Sequence, residues 1–539
     1  MNKKLYDLMD WAEIETIVYS EHDHPEEVLG AHKVSGGILI QAFFPNAASV
    51  FVKSEEDGKL HRMSEADEAG FFAVLVAVKK VFPYTFVVKD KDGTETNYYD
   101  AYLYTDALNE KEYRSFTDGK DYKIYEKMGA HPVVVSGYGR EAAFSKRKST
   151  RKKGETSIHG TCFSVWAPNA IRVSVVGDFN AWDGRVHQMV RLGDTGVFAL
   201  FIPGVEEGEI YKYEIKYSAV RSAFKSDPYG FRSELRPAEA SIVTDLSGYA
   251  WKDKTWMTKR ISFDVNKSPM SVYELHLGSW MQKEGENGEK GFYTYRELAP
   301  KIAEYVIEMG YTHIELMPFM EYKEDASLGY HVTGYYAVTS RYGTPEDFMY
   351  FVDTLHQKGI GVIMDWVPAY FSAAENGLTK FDGTYLYERS DSVEAMSGLC
   401  SFDYNNPQVA NFLIANTIFW KEVYHIDGIR VSGVAPMLYL DFNRPAGNWT
   451  PNEFGGNENL AAVAMLRRLS EAFHKKGDGA VLIAEESSAW PLVTGDITEN
   501  GLGFDLKWNM GWMHDFLSYL QIDPYFRKGN HEKLLAGML

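Results

Sequence analysis

The stretch that decides the fold runs from His425 to Asp441 and reads His-Ile-Asp-Gly-Ile-Arg-Val-Ser-Gly-Val-Ala-Pro-Met-Leu-Tyr-Leu-Asp. Its first half predicts a short buried strand, 427–434, that is followed by turn residues. Arg430 and Ser432 are two positions apart, so both side chains should point to the same face of this strand. In a parallel barrel the catalytic groups come from such strand ends. The alternative is a core strand whose arginine pairs with a buried acid.

Strands alternate with helices from Ser271 onward, which is typical of a parallel sheet with right-handed crossovers. Thr344 before Pro345 is a strong helix start, because threonine caps the helix and proline suits its first position. The region approaches the length of a full eight-stranded barrel, about 250 residues. Six strands are predicted, at 272–277, 313–317, 361–367, 428–434, 481–485 and 504–508. Helices are predicted at 295–309, 345–358, 409–424, 457–474 and 511–520.

Two strand-rich modules precede this region and resemble each other. Phe43-Phe-Pro-Asn-Ala in the first matches Trp166-Ala-Pro-Asn-Ala in the second, and Asp100-Ala-Tyr matches Asp227-Pro-Tyr. Turns at this spacing, repeated twice, predict two β-sandwiches. The sequence therefore predicts a multidomain chain in which two N-terminal β-sandwiches are followed by an incomplete (β/α)8 (TIM) barrel.

Four segments are predicted. Residues 1–130 form an N-terminal helix and the first sandwich, 131–154 a basic linker, 155–250 the second sandwich and 251–539 the barrel. The linker is inferred from the run Lys146-Arg-Lys-Ser-Thr-Arg-Lys-Lys. Such a composition is typical of solvated chain, and a nucleic-acid arm has little support because no aromatic residues are interleaved.

Composition excludes several classes of protein. The 539 residues carry a net charge of −19, which argues against a nucleic-acid or anionic membrane surface as partner. The two cysteines, Cys162 and Cys400, are far apart and indicate neither a disulfide framework nor a metal site. No apolar signal-peptide core follows the first lysines and no run reaches transmembrane length. We expect a cytoplasmic protein without metal or cofactor.

Several long motifs carry a family resemblance that runs almost end to end. They include Tyr273-Glu-Leu-His-Leu-Gly-Ser-Trp, Gly329-Tyr-His-Val-Thr-Gly, Asp365-Trp-Val-Pro-Ala, Ala484-Glu-Glu-Ser and Lys507-Trp-Asn-Met-Gly-Trp. With these motifs the chain resembles the 1,4-α-glucan (glycogen) branching enzymes of the α-amylase superfamily. The resemblance implies a glycogen-binding-type second sandwich and a further C-terminal β-domain. It also implies cleavage of an α-1,4-glucan and transfer of the chain to a 6-hydroxyl, in glycogen biosynthesis.

The resemblance also assigns roles within retaining glycosidase chemistry. Glu485 matches the general acid/base, and Arg430 matches the fourth-strand arginine that orients the nucleophile. Asp365 matches the motif aspartate of the third strand, and Tyr330 a tyrosine that stacks under the sugar. Structural alternatives are a capping or pairing role for Asp365 and a core position for Tyr330.

In the second sandwich, Trp166 and Trp182 are the predicted glucan-binding residues. Trp182 lies in the polar turn Gly177-Asp-Phe-Asn-Ala-Trp-Asp-Gly, where an exposed ring would be able to stack on a sugar. The alternative is an aromatic ring that folds back onto the sandwich.

The sequence departs from the family pattern at positions that carry the family's chemistry. Ser432 occupies the position of the nucleophilic aspartate, Tyr370 replaces the motif histidine and Leu328 replaces a loop aromatic. The sequence stops at Leu539, before the seventh strand and the third carboxylate of the family. A serine nucleophile needs a neighbouring base, which the family site does not supply at this position. Tyr370 is kept as a substrate-binding candidate.

Three functions are compatible with these features. The first is a branching enzyme homologue that is impaired or inactive as given, with α-glucan (glycogen, amylose) as partner and a possible second chain completing the barrel. The second is a non-catalytic glucan-binding or regulatory pseudoenzyme. The third, debranching or trehalose release, is disfavoured by Met437-Leu-Tyr-Leu-Asp and Trp508-Asn-Met-Gly-Trp. No nucleic-acid or membrane partner is expected.

Overall fold

The computed structural model describes residues 3–146, 157–284, 290–391, 398–445 and 447–536. The chain divides into two compact units. One comprises Met1–Gly248, Gly334–Ser340 and Ala374–Tyr387, and the other Tyr249–Thr333, Arg341–Ala373 and Glu388–Leu539. The predicted fold class, two β-sandwiches followed by an incomplete (β/α) barrel, is confirmed. Across the described ranges, no helix is long and apolar enough to cross a membrane.

The first sandwich contains two antiparallel four-stranded sheets that share one core. Alternate residues of facing strands, such as Ile38, Ile40, Val50 and Val52, are fully buried, as period-2 geometry requires. In spatial order the sheets are Gly30–Val34, Gly37–Phe43, Phe71–Val76 and Ser64–Asp67, and Leu60–Arg62, Ala47–Ser54, Tyr84–Asp90 and Glu95–Tyr99. The preceding helices Lys3–Tyr6 and Trp11–Val18 and the 3-10 turn Pro25–Glu27 pack on the outer face of the first sheet.

The second sandwich also consists of antiparallel sheets. In spatial order the larger sheet is Ala143–Lys146, Gly129–Ser136, Ser157–Trp166, Val197–Pro203 and Val190–Arg191. The smaller sheet is Arg172–Gly177, Ile210–Ser218 and Arg221–Lys225, with Ser241–Ile242 paired to Ile210–Ser218. Short helical turns in this unit are Ala101–Ala107, Glu110–Tyr113, Arg114–Thr117, Ile124–Glu126, Gly139–Glu141, Asp178–Asn180 and Leu246–Gly248.

The predicted linker at 131–154 is wrong in its first part. Gly129–Ser136 is a strand of the second sandwich and pairs with Ser157–Trp166, from Gly129 opposite Ser164 to Ser136 opposite Ser157. The run of three valines at 133–135 favours a strand. The linker prediction follows instead from the basic residues further along the chain, and residues 147–156 lie outside the described ranges.

The internal repeat is visible in the hydrogen bonds of the two sandwiches. The Tyr84 hydroxyl donates to Asp100 Oδ2 at 2.6 Å, and the Tyr211 hydroxyl donates to Asp227 Oδ2 at the same 2.6 Å. In both cases the other carboxylate oxygen accepts the backbone N–H two residues later. Burial raises the pKa of both aspartates to about 6. The matched Asp-x-Tyr motifs therefore hold the same buried tyrosine–aspartate contact in each sandwich.

The barrel unit contains one six-stranded parallel sheet whose strands follow chain order. They are Val272–Leu275, His313–Leu316, Gly361–Trp366, Gly428–Val431, Val481–Glu485 and Leu506–Trp508. The fourth strand is shorter than predicted because Gly433, with φ of +69°, begins a turn into the helix Val434–Leu438. In the described part of the chain the first and sixth strands are the outer ones, and the sheet does not close into a ring.

Helices connect these strands, and the predicted cap at Thr344 is confirmed. The Thr344 hydroxyl accepts from Asp347 N, and the Asp347 carboxylate accepts from Thr344 N. The helices are Lys254–Arg260, Leu277–Trp280, Tyr295–Met309, Pro345–Gln357, Pro407–Val423, Val434–Leu438, Leu460–His474, Met510–Gln521 and His531–Ala536. Short strands are Gln282–Glu284, Lys290–Phe292, Met320–Tyr322, Val332–Val338, Tyr370–Ser372 and Leu399–Ser401. The 3-10 turns are Asp325–Ser327, Ser340–Tyr342, Ile497–Glu499 and Pro524–Asn530.

A buried charge cluster closes the N-terminal end of the central strands. Asp427 Oδ2 accepts from Val362 N and bonds His356 Nε2, both at 2.8 Å, and Oδ1 accepts from Arg260 at 3.2 Å. The other ring nitrogen of His356 lies 2.9 Å from Asp253. Burial lowers the pKa of His356, but the charges of Asp427 and Asp253 outweigh burial and raise it overall. Asp427 therefore ties two strands, a helix and the segment before the barrel together.

Replacing Asp427 by Asn should destabilise the barrel strongly, because His356 and Arg260 would lose a buried anionic partner. We expect the free energy of unfolding to fall by about 3–5 kcal/mol, measured by urea denaturation. Asp264→Asn is the control, since Asp264 pairs with the exposed Lys267 and should have no measurable effect. Equal midpoints for Asp427→Asn and the control would contradict the assigned role.

Candidate active site

The predicted catalytic residues meet at the C-terminal ends of neighbouring barrel strands. Asp365 lies opposite Arg430 in the register of the third and fourth strands, and Arg430 lies opposite Ile483 of the fifth. Arg430 and Ser432 share a face, because the guanidinium Nη2 and the Ser432 Oγ both contact Glu485 Oε2, at 3.2 and 3.1 Å. This is the end of the sheet at which barrel enzymes place their active sites.

Arg430 is the centre of this cluster. Its guanidinium forms a close ion pair with Asp365, and its Nε lies 3.6 Å from Glu315 Oε1. The Tyr330 hydroxyl donates to Asp365 Oδ2 at 2.6 Å, so Tyr330 belongs to the site and not to a separate core. Burial raises the pKa of Asp365 to about 7, although the charge of Arg430 opposes the rise. Asp365 therefore pairs with Arg430, as its structural alternative states, and at the same time lies in the candidate site.

Glu485 contacts the residue at the nucleophile position directly. Its Oε2 accepts from Ser432 Oγ at 3.1 Å and from Gly433 N at 3.0 Å. The site thus brings a carboxylate within hydrogen-bond distance of Ser432, which corrects the expectation that no base is near this serine. The next residue, Glu486, is fully buried and paired with Lys507 at 2.8 Å. Of the two adjacent glutamates, Glu485 is therefore the one that faces the open end of the site.

Sequence reasoning missed Glu315. It lies on the second strand, is fully buried, and neither carboxylate oxygen has a hydrogen-bond partner among the described residues. Burial raises the pKa of Glu315 to about 8, against the opposing effect of Arg430. The signal in the sequence is a lone acid within the apolar strand His313–Leu316. This side chain adds a predominantly protonated carboxyl group beside Arg430 at neutral pH.

Two further departures from the family also lie in this unit. Tyr370 is half-buried, and its pKa is raised by burial and by the charges of Asp365 and Glu485. Leu328 has a φ of +52° and is 40% exposed, so an apolar side chain stands in a strained turn. Among the described residues, no three His, Cys, Asp or Glu side chains are grouped as a metal site requires.

The two tryptophans predicted to bind glucan differ in their surroundings. Trp166 is only 5% exposed and packs edge-to-face on Phe116 and Tyr387, with ring centroids 5.8 and 5.7 Å apart. The prediction for Trp166 is therefore wrong, because the last residue of its strand points into the core. Trp182 is half-buried, and its Nε1 donates to Asp178 at 2.8 Å. It lines an open cavity of about 600 Å³ together with the exposed Phe224.

These features define a class of protein: an α-amylase-type barrel preceded by two β-sandwiches. Residues 298–391 match the family model described as alpha amylase, catalytic domain, and residues 150–230 match carbohydrate-binding module 48 (isoamylase N-terminal domain). Residues 10–102 match the N-terminal domain of the alpha-1,4-glucan branching enzyme GlgB.

The chain belongs to the 1,4-alpha-glucan branching enzyme (GlgB) family. It is 45% identical to the enzyme of Thermosynechococcus vestitus, with 98% of this chain and 69% of that relative covered. Its identity to the enzyme of Trichormus variabilis is 44%, with 98% and 70% covered. The enzyme of Nitrosococcus oceani is also 44% identical, with 98% and 67% covered. The relatives are thus longer than the sequence described.

Glu315 generates a prediction about pH. Its pKa in the folded protein, about 8, lies above the ordinary value of 4.5, so the folded state binds a proton that the unfolded state loses between these values. Stability should therefore fall as the pH rises through this window, by about 5 kcal/mol in total from this residue. Glu315→Gln cannot titrate and should remove this contribution.

The measurement is the unfolding free energy from urea denaturation at several pH values across that window. We expect the free energy of unfolding of Glu315→Gln, relative to that of the unmodified chain, to increase with pH. Glu308→Gln, a change at an exposed position of the helix Tyr295–Met309, is the control and should give a constant difference. A constant difference for Glu315→Gln as well would show that Glu315 is ionised throughout.

Proposed function

We propose that this chain binds α-1,4-glucan and that its barrel site is impaired in chain transfer. The observation that carries the proposal is the contact between Ser432 and Glu485. In the family chemistry, one carboxylate attacks the anomeric carbon while a second carboxyl group protonates the leaving oxygen. Ser432 stands where the first of these belongs, and its hydroxyl donates a hydrogen bond to the second.

A serine does not replace the missing carboxylate chemically. Attack by Ser432 Oγ on the anomeric carbon would require Glu485 to accept the serine proton. A second, protonated group would then have to protonate the departing glucan oxygen. The product would be a serine glucoside, an ordinary acetal whose leaving group is no better than that of the substrate. A neutral hydroxyl also gives little stabilisation to an oxocarbenium-like transition state. Both arguments support a trapped or very slow site.

The remaining polar residues are well placed to hold a sugar without cleaving it. Asp365 is fixed by Arg430 and Tyr330, and its Oδ1 is buried without a hydrogen-bond partner in the described residues. An unpaired buried acceptor of this kind is costly unless a ligand hydroxyl or water supplies a donor. We therefore assign Asp365, Arg430 and Tyr330 to sugar binding, with Tyr370 at the edge of the site.

The chain as given should not branch amylose. We expect no increase in α-1,6 linkages when the reducing ends are counted after debranching. Loss of a catalytic group of this kind costs roughly 10⁴- to 10⁶-fold in rate. Branching at ordinary rates would disprove the impairment.

Hydrolysis of α-maltosyl fluoride isolates the role of the nucleophile, because fluoride leaves without help from a general acid. Ser432→Asp should raise fluoride release by roughly 10³-fold, whereas Ser432→Asn, of the same size but without charge, should not. Equal rates for the two variants would place the defect elsewhere in the site.

Glucan binding by the second sandwich is proposed to survive, with Trp182 and Phe224 as its aromatic surface. The full chain should be retarded in glycogen-containing native gels, and Trp182→Ala should weaken this retardation by about fivefold. Trp512→Ala, at an exposed tryptophan in the barrel unit, is the control. The full chain is needed, because residues 155–246 alone would lose the paired strand Gly129–Ser136. Unchanged retardation of Trp182→Ala would remove this residue from the binding surface.

A second candidate function is a working branching enzyme whose barrel is completed by a further segment, in the same polypeptide or in a second chain. Leu506–Trp508 is an outer strand, and no residue of the helix Met510–Gln521 is buried. Trp512, Leu517 and Leu520 of that helix are between 42% and 48% exposed. Such a face is typical of an unfilled packing surface. We also propose a cytoplasmic location, on the strength of family membership.

Co-expression with the C-terminal third of a relative tests this candidate. If the segment covers the outer helix, the two chains should co-purify and the melting temperature should rise. Replacing Leu517 and Leu520 by Asp should abolish co-purification, whereas Glu308→Gln should leave it intact. Failure of the pieces to associate, with the 539-residue chain melting cooperatively at high temperature, would contradict the candidate.

A further inference from the structure

A second pocket lies within the first compact unit, where the turn Phe43–Ala47 of the first sandwich faces the loop 178–187 of the second. Its volume is about 270 Å³. This is close to the lower end of the range of about 300–1,000 Å³ that is typical of small-molecule sites. Trp182 does not line it, whereas Ala181 and Asp183 line both this pocket and the cavity beside Phe224, so the two are adjacent.

The walls of this pocket are held by interactions between the two sandwiches and within the loop. The Tyr102 hydroxyl donates to the Gln188 carbonyl at 2.9 Å. Asn180 fixes the loop by donating to Val175 O at 2.8 Å and accepting from Gly177 N at 3.0 Å. The pocket is therefore preformed, and a ligand would not need to order its walls.

Two polar groups in the pocket remain available to a ligand. Gln41 is 6% exposed, and its Nε2 donates to Val28 O at 2.6 Å. This contact makes the other amide atom, Oε1, an acceptor, and that atom is buried without a hydrogen-bond partner in the described residues. His187 Nδ1 lies 3.0 Å from the Asn180 amide nitrogen and accepts from it, so the neutral ring carries its proton on Nε2 as a donor. A matching ligand must both donate and accept.

The remaining lining includes aromatic and acidic residues among small and aliphatic ones. The rings of Phe44 and Tyr98 lie 5.7 Å apart at an angle of 37°, and Tyr98 is 38% exposed. Asp90 and Asp178 also line the pocket and would repel phosphate or carboxylate groups. Aromatic faces beside one acceptor and one donor, without a free cation in the lining, suit a neutral polyhydroxylated ring.

We propose that this pocket binds a sugar unit of an α-glucan as a site distinct from the barrel site and from the Trp182 surface. The choice of an α-glucan as the ligand rests on the proposed function, whereas the existence of the pocket is argued from the contacts given above. The Tyr98 ring would stack on the sugar, Gln41 Oε1 would accept from a hydroxyl, and His187 Nε2 would donate to one. A bound unit here would attach a long glucan to the two sandwiches independently of chain transfer.

The test is hydrogen–deuterium exchange of the full chain with and without maltoheptaose, read for the segments 44–47 and 98–102. We expect protection of both segments in the unmodified chain and in Trp182→Ala. Tyr98→Ala should lose this protection and bind at this site about fivefold more weakly, whereas Tyr98→Phe, which keeps the ring, should retain it. Tyr6→Ala is the control, because Tyr6 is 52% exposed in the same unit but does not line the pocket.

Two outcomes would overturn the proposal, and they are distinguishable from failure of the proposed function. If glycogen gels retard the chain but 44–47 and 98–102 show no protection, this site is excluded while glucan binding stands. If protection persists unchanged in Tyr98→Ala, the Tyr98 ring does not stack on the sugar, and the proposed site is wrong. If neither retardation nor protection occurs anywhere in the chain, the proposed function itself fails.

Discussion

The largely buried positive charge of Arg430 is the constraint on which the active-site end of the barrel depends. A buried guanidinium is tolerated only when carboxylates surround it with good geometry. Asp365 supplies one from the third strand, Glu485 one from the fifth, and Glu315 lies nearby on the second. The fourth strand is therefore tied to its neighbours by charge as well as by backbone hydrogen bonds.

Ser432 changes the balance of charge around this arginine. In the family pattern an aspartate at this position adds a further negative charge beside Arg430. With serine there, Glu485 accepts from Ser432 Oγ, from Gly433 N and from Arg430 through a single oxygen. These contacts thus occupy the carboxylate that the family chemistry uses as its acid. In the function proposed above, the contacts that stabilise the altered site are also the reason for its impairment.

The sandwiches do not share this dependence, because their cores and polar contacts lie in the other compact unit. The paired Tyr84–Asp100 and Tyr211–Asp227 contacts repeat the same buried arrangement in two copies of one fold. Binding surfaces on such modules are made of loop residues, and loops can change without disturbing the core beneath them. Carbohydrate binding in this unit is therefore physically separable from the fate of the barrel site.

The sequence by itself determined what depends on local pattern. Period-2 and helical periodicity, with the Thr344 cap, predicted the barrel strands and helices to within a few residues, and the motifs identified Arg430, Asp365 and Glu485. It did not reveal that Trp166 is buried, that Gly129–Ser136 pairs with Ser157–Trp166, or that Glu315 lies beside Arg430 without a hydrogen-bond partner among the described residues. Burial, sheet register and contacts between strands depend on residues far apart in the chain, so only the tertiary structure decided them. The same holds for the pKa of Glu315 and for the pocket between the sandwiches, since both arise from desolvation and proximity after folding.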